Sequence, residues 1–216
     1  MDITWENLIL LSHISASLVV ALAGAVLYLM LKKHLLPTIE DSKKITLILI
    51  IYLFGTVNFA MISQSLWQHG AVQLFTLLGI LTLLNGIKSR SLFQFTLAGL
   101  CLSLAVLSRP TAALFAILLS LLILLAHKDS LKQSLKASIY LGLGVVPALL
   151  FFLWYNQVYF IGLENQGYAG QLFSSWFSPF PEGFLGTWLS PSKGILVYSP
   201  VLTFSLVGLY KAYKHK

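Results

Sequence analysis

Two cations in this chain stand apart from all the others. Arg109 sits in Ser108-Arg109-Pro110-Thr111, between two apolar runs, and Lys193 sits in Ser190-Pro191-Ser192-Lys193-Gly194, just before the last one. A guanidinium is a planar fork of five N–H donors that matches the oxygens of a phosphate. Lys193 would add a second contact to the same anion, beside the free backbone N–H groups at the start of the following helix. The plainer alternative is a helix-start turn. Ser108 then caps, Pro110 takes an early helical position, and both cations snorkel to headgroups.

A third polar group lies in Ser63-Gln64-Ser65-Leu66-Trp67-Gln68-His69-Gly70, where six side chains able to hydrogen-bond crowd the exit of an apolar run. His69 and Gln64 could bind a sugar or phosphate, with Trp67 as a stacking surface; an interfacial histidine with ordinary partners is the simpler alternative. His13 lies a little over one turn inside the first apolar run, close enough to the interface to be hydrated. The five histidines have no metal-ligand spacing, so no metal is expected, and the lone Cys101 can form neither an intrachain disulfide nor a metal site. General-base chemistry on the outer side would need Asp2, Glu6, Glu164 or Glu182. None of these belongs to a recognisable constellation, and the catalytic residue stays unknown at this level.

The elements that must position these groups follow from composition. The chain is 57% hydrophobic and 10% charged, against about 25% charged for a soluble domain, so the bilayer is its solvent. Seven apolar segments, 8–31, 45–63, 71–87, 91–107, 111–126, 137–155 and 195–210, read as spanning helices. Their continuous apolarity excludes the alternation of a membrane β-barrel. The expected fold is a single all-α transmembrane domain over 1–216. Twelve of the fourteen Lys and Arg fall in alternate gaps, at 32–44, 88–90, 127–136 and 211–216. This positive-inside pattern puts the N-terminus outside and the C-terminus in the cytoplasm. It also accounts for the net charge of +7 without nucleic acid.

The outer side then carries a long connection, 156–194, with nine aromatic residues between Tyr159 and Trp188. Trp and Tyr prefer the headgroup level, so this loop is expected at the outer interface, with a short interfacial helix around 170–177. The N-terminal MDITWENLIL has acids but no cation before the first apolar run, so no cleavable signal peptide is expected.

The outer-face pieces, in order, resemble a known family. They are Phe54-Gly55-Thr56; Ser63 to His69; Gly99-Leu100 with Leu104 to Thr111; Tyr155-Asn156; Gly167-Tyr168; and Leu189-Ser190-Pro191-Ser192-Lys193-Gly194-Ile195-Leu196-Val197-Tyr198-Ser199-Pro200. Together they are similar to polytopic prokaryotic glycosyltransferases of the GT-C class, related to protein O-mannosyltransferases and aminoarabinose transferases. The resemblance implies a plasma-membrane enzyme that takes a sugar from a polyprenyl-phosphate donor in the membrane and passes it, with inversion, to an unknown acceptor on the outer side. It implies lipid-phosphate or substrate contacts from Arg109, Lys193, His69, Trp67, Gln64 and Tyr198.

Such enzymes carry a catalytic Asp in the first outer loop after an N-terminal helix, and the first helix here looks like a later one of the family. The chain is therefore expected to be a C-terminal part, inactive alone, with the missing helices and acid supplied by another segment or partner. Two rivals remain. One is a transporter or flippase of lipid-linked substrates, which would need polar residues across several helices, where Asn58 and Asn85 are the main inward exceptions. The other is a non-catalytic subunit that pairs through small-residue faces, Ser17, Ala21 and Ala25 on the first helix and Gly144 and Ala148 on the sixth.

Overall fold

The computed structural model describes residues 4–38, 41–127, 129–162, 179–192 and 194–214. The described residues are all-helical, without strands. The helices are α1 (Trp5–Met30), α2 (Ser42–Phe54), α3 (Val57–Ala60), α4 (Gln68–Ser89), α5 (Leu92–Ser108), α6 (Ala113–Ala126), α7 (Leu131–Phe160), α8 (Phe180–Leu189), α9 (Ile195–Tyr198) and α10 (Thr203–Lys214). Every segment expected to span is largely helical, and four stretches are long and apolar enough to cross a membrane: Trp5–Leu35, Ser42–Ala60, Gln68–Ser89 and Leu131–Phe160. Leu92–Ser108 and Pro110–Ala126 are shorter apolar helices.

Two expected helices are interrupted. The 45–63 segment stops at Phe54 and restarts after Gly55-Thr56, where the Thr56 hydroxyl accepts from the Asn58 N–H. The 195–210 segment breaks at Ser199-Pro200 into α9, a 3₁₀ turn over Pro200–Leu202, and α10. A proline lacks the N–H that would continue the ladder. The outer connection begins later than its sequence suggests, because α7 runs on to Phe160. Tyr155, Tyr159 and Phe160 pack as a helical aromatic cluster with ring centroids 4.7–5.9 Å apart. Within the connection the helix is α8, over 180–189; the 170–177 stretch lies outside the described residues.

The bundle is built around α5, which packs on α4 and on α7, while α1 closes on α4. Leu83, Phe95, Ala98, Ile123 and Ala137 form its buried cluster. The α5–α7 contact is a backbone contact. A Cβ at Gly99 would lie 1.9 Å from the Leu141 carbonyl oxygen, and one at Gly144 would lie 1.9 Å from that of Thr96. Gly144 and Ala148 are thus buried inside this chain and not free for a partner. On α1 the face packed within this chain is Ala16, Val20, Ala23 and Gly24, while Ser17, Ala21 and Ala25 are exposed, which leaves that face uncovered by this chain. The turn before α2 is pinned by Asp41, which accepts from Lys44 Nζ at 2.7 Å and from the Thr38 hydroxyl. The Lys44 bond, then that of Thr38, holds the Asp41 carboxyl below the usual carboxylate range.

Gly99→Ala should therefore be strongly destabilising, by about 1–3 kcal/mol or more, since the clash is with backbone that cannot rotate away. Gly142→Ala on α7, where a Cβ meets nothing within 4 Å, should be neutral or slightly stabilising. Thermal unfolding of the two variants in detergent separates these outcomes.

Candidate functional site

Arg109 closes the C-terminal end of α5. Its backbone is extended, at φ −156° and ψ 116°; its N–H still bonds to Ala105, and its carbonyl receives the Ala112 N–H. It is thus the N-cap residue of the 3₁₀ turn Pro110–Ala112, with Pro110 at the first position as expected. Ser108 does not cap this turn: its hydroxyl donates back to the Leu104 carbonyl at 2.9 Å. This frees the Arg109 side chain to leave the helix axis sideways.

His69 comes from the first turn of α4, across the hairpin formed with α5. Arg109 Nη1 lies 2.9 Å from each ring nitrogen of His69. A neutral imidazole has one acceptor nitrogen and an imidazolium has none, so this pair requires neutral His69. The Trp67 ring stacks beside His69, with centroids 6.1 Å apart and planes at 27°. Among the described residues Arg109 makes no ion pair and no other side-chain hydrogen bond. Most of its five donors therefore stay open.

The loop that carries Trp67 is tied down from α1. Ser17 Oγ donates to the Ser63 carbonyl at 3.1 Å, and the Leu66 N–H donates to Ser12 Oγ at 3.3 Å. Gln64 turns its amide nitrogen inward, onto the Phe59 carbonyl and Ser63 Oγ, both at 3.2 Å. From the far end of the chain, the Tyr198 hydroxyl donates to the Pro191 carbonyl at 3.3 Å, folding 190–198 into a hook.

Gln64, Trp67, His69, Arg109 and Tyr198 all line one cavity of about 820 Å³, within the 300–1,000 Å³ usual for small-molecule sites. Five of the six expected site residues therefore converge; Lys193 lies outside the described residues. His13 is exposed on α1 and does not line the cavity. Glu6 and Glu182 are exposed and away from it, and Asp2 and Glu164 lie outside the described residues. Among the described residues no carboxylate lines this cavity, and no three His, Cys, Asp or Glu side chains come together for a metal.

A second cavity, about 450 Å³, begins at Leu107, Pro110 and Phe152, beside Arg109, and runs between α5, α6 and α7 to Gly99, Ser120 and Leu141. It exists because α6 touches its neighbours far less than α5 touches α7. Its two hydroxyls are turned onto their own helices, Ser103 onto Leu100 at 2.8 Å and Ser120 onto Ala116 at 2.7 Å. What remains facing the groove is hydrocarbon. The arrangement is thus a guanidinium, an imidazole and an indole on the wall of one cavity, with an apolar groove that starts at the neighbouring Pro110.

No family model, no curated protein and no solved structure matches this chain.

Sequence reasoning missed the residue that joins the two broken helices. Ser199, only 4% exposed, accepts from the Val57 N–H at 3.0 Å, across 142 residues of chain. Both partners sit at interruptions, Gly55-Thr56 and Ser199-Pro200, and both line the 820 Å³ cavity. The signal was present as a Gly-Thr and a Ser-Pro inside apolar runs. Ser199→Ala should leave the Val57 N–H without a partner and destabilise the bundle by about 1–3 kcal/mol. Amide exchange at Val57 should then speed up selectively, leaving that of α5 unchanged.

Proposed function

We propose that this chain is the lipid-phosphate-holding part of a GT-C-like membrane glycosyltransferase, with a polyprenyl-phosphate-linked sugar as donor. The observation that carries the proposal is the Arg109 guanidinium, without an ion-pair partner among the described residues, on the wall of the 820 Å³ cavity and next in sequence to Pro110 of the 450 Å³ apolar groove. A phosphate at Arg109 would have its sugar against Trp67 and His69, and its prenyl chain in the groove that α6 leaves against α5 and α7. Phosphate released in transfer carries developing negative charge, and a preorganised cation stabilises it. Water kept from the sugar by the aromatic outer connection would limit hydrolysis.

In this reading the seven apolar segments all reside in the membrane, with the N-terminus and Arg109 outside and the C-terminus in the cytoplasm of a prokaryotic cell. Support comes from the bundle's two ends. Lys88, Arg90, Lys132 and Lys136 sit at the end opposite Arg109. Helix α5 has 17 residues, about 26 Å at 1.5 Å per residue. That is shorter than the roughly 30 Å hydrocarbon core, which draws headgroups toward Arg109. A transport path is less supported, since Asn58 Nδ2 donates to the Tyr52 carbonyl at 2.9 Å and Asn85 Oδ1 pairs with His34 Nε2 at 3.0 Å. Each amide thus has a bond within the bundle, while Asn58 Oδ1 stays buried without a partner among the described residues. The acid that deprotonates the acceptor comes, in this reading, from another segment or partner bundle.

Binding of radiolabelled polyprenyl phosphate to the purified chain tests the assignment. Arg109→Ala should weaken it roughly ten- to a hundredfold, the worth of a hydrogen bond to a charged group. Retained binding in Arg109→Ala/Lys193→Ala would overturn the phosphate role. Sustained sugar transfer by the chain alone would overturn the assignment of the acid to a partner.

A further inference from the structure

The chain has two arginines, Arg90 and Arg109, and each ends on a cavity, at opposite ends of α5. Arg90 belongs to the α4–α5 turn and takes a left-handed conformation, φ 55° and ψ 26°, that is uncommon for a residue with a Cβ. It borders a cavity of about 190 Å³ whose walls are Arg90, Gln133 and Lys136, with His127, Phe95 and Ala137 as its less polar side. His127 is oriented by its Nδ1, 3.2 Å from the Ile123 carbonyl, and its ring meets Phe95 at 6.0 Å and 66°. No carboxylate lines this cavity among the described residues, and neither Arg90 nor Lys136 has a hydrogen-bond or ion-pair partner there.

We propose that this cavity is a binding site for one phosphate-bearing anion of headgroup size, at the membrane face opposite Arg109. The site is independent of the function proposed for Arg109. The positive-inside pattern explains why cations are on this face. It does not explain why the one arginine among the twelve, a lysine and an amide from another helix converge on a single concave site. A guanidinium fork and an ammonium give phosphate its bidentate and point contacts, and the Gln133 amide adds two N–H donors. The volume is below the range for whole small molecules, so a sugar nucleotide is too large and a single phosphate group fits. Phe95 and Ala137 would meet the apolar side of the ligand, which a lipid's glycerol provides. Basic pockets between spanning helices at the cytoplasmic face bind such headgroups.

Native mass spectrometry of the full chain in neutral detergent tests this, with phosphatidylglycerol, phosphatidylcholine and inorganic phosphate as probes. One phosphatidylglycerol should bind saturably, roughly tenfold or more tighter than phosphatidylcholine. Arg90→Asn/Lys136→Gln should abolish that preference. Asn tolerates the left-handed turn, so the loss would not come from a broken backbone, and an unchanged unfolding midpoint verifies this. Lys211→Ala/Lys214→Ala removes equal charge from the same face and should leave the preference intact. Displacement of the lipid by millimolar inorganic phosphate would identify a soluble phosphate as the ligand; failure to displace it would identify the lipid headgroup. The proposal is overturned if the two lipids bind equally, if the preference survives Arg90→Asn/Lys136→Gln, or if the two double variants lose it alike.

Discussion

Helices immersed in hydrocarbon gain little by hiding apolar side chains from one another, so how closely their backbones approach decides how well they hold. In this chain that approach is made at Gly99 and Gly144, where each glycine faces a backbone carbonyl of the other helix with no room for a Cβ. The consequence reaches both ends of the molecule. With α7 locked on one side and α4 on the other, α5 becomes the fixed axis, carrying Arg109 at its C-terminal end and Phe95 near its N-terminal end. Helix α6 has no comparable contact. It splays, and the apolar groove beside Arg109 is the space it leaves. The same constraint therefore orders the site and opens the channel into it.

A second constraint is that backbone N–H and C=O groups inside a membrane must find partners. Interrupting a helix there releases several of them. The break at Gly55-Thr56 is met by the Thr56 hydroxyl and by Ser199, and the Ser199 hydroxyl itself comes from the second break. Each interruption thus supplies part of what the other lacks. This pairing brings residues 194–202 against residues 57–69, and Tyr198 reaches the cavity through it. A continuous 195–210 helix would have carried Tyr198 on a straight rod with no such tie.

How much was legible in the sequence depended on which physics set each feature. The helical membrane class could be read, and five of the six expected site residues line one cavity with nine others, because apolar length and isolated polar groups in apolar surroundings are local signals. Breaks inside apolar runs were harder, since hydropathy averages over a Gly-Thr or a Ser-Pro without noticing them. Which face of α1 packs inside the bundle was not legible for a related reason: Ala16, Val20 and Ala23 lie beside the small Ser17, Ala21 and Ala25, and only the neighbouring helix decides between them. The role of Ser108 went the same way. A serine before Arg-Pro can cap forward or bond back, and the return bond to Leu104 wins because α5 continues to that point.

Among the described residues no carboxylate lines the cavity wall. An acid beside Arg109 would pair with it, satisfy its donors and leave a neutral site suited to a neutral sugar. With neutral His69 as its one close side-chain partner among the described residues, the guanidinium keeps its full charge and most of its donors facing the cavity. A half-buried cation in that condition is costly unless an anion arrives to share it.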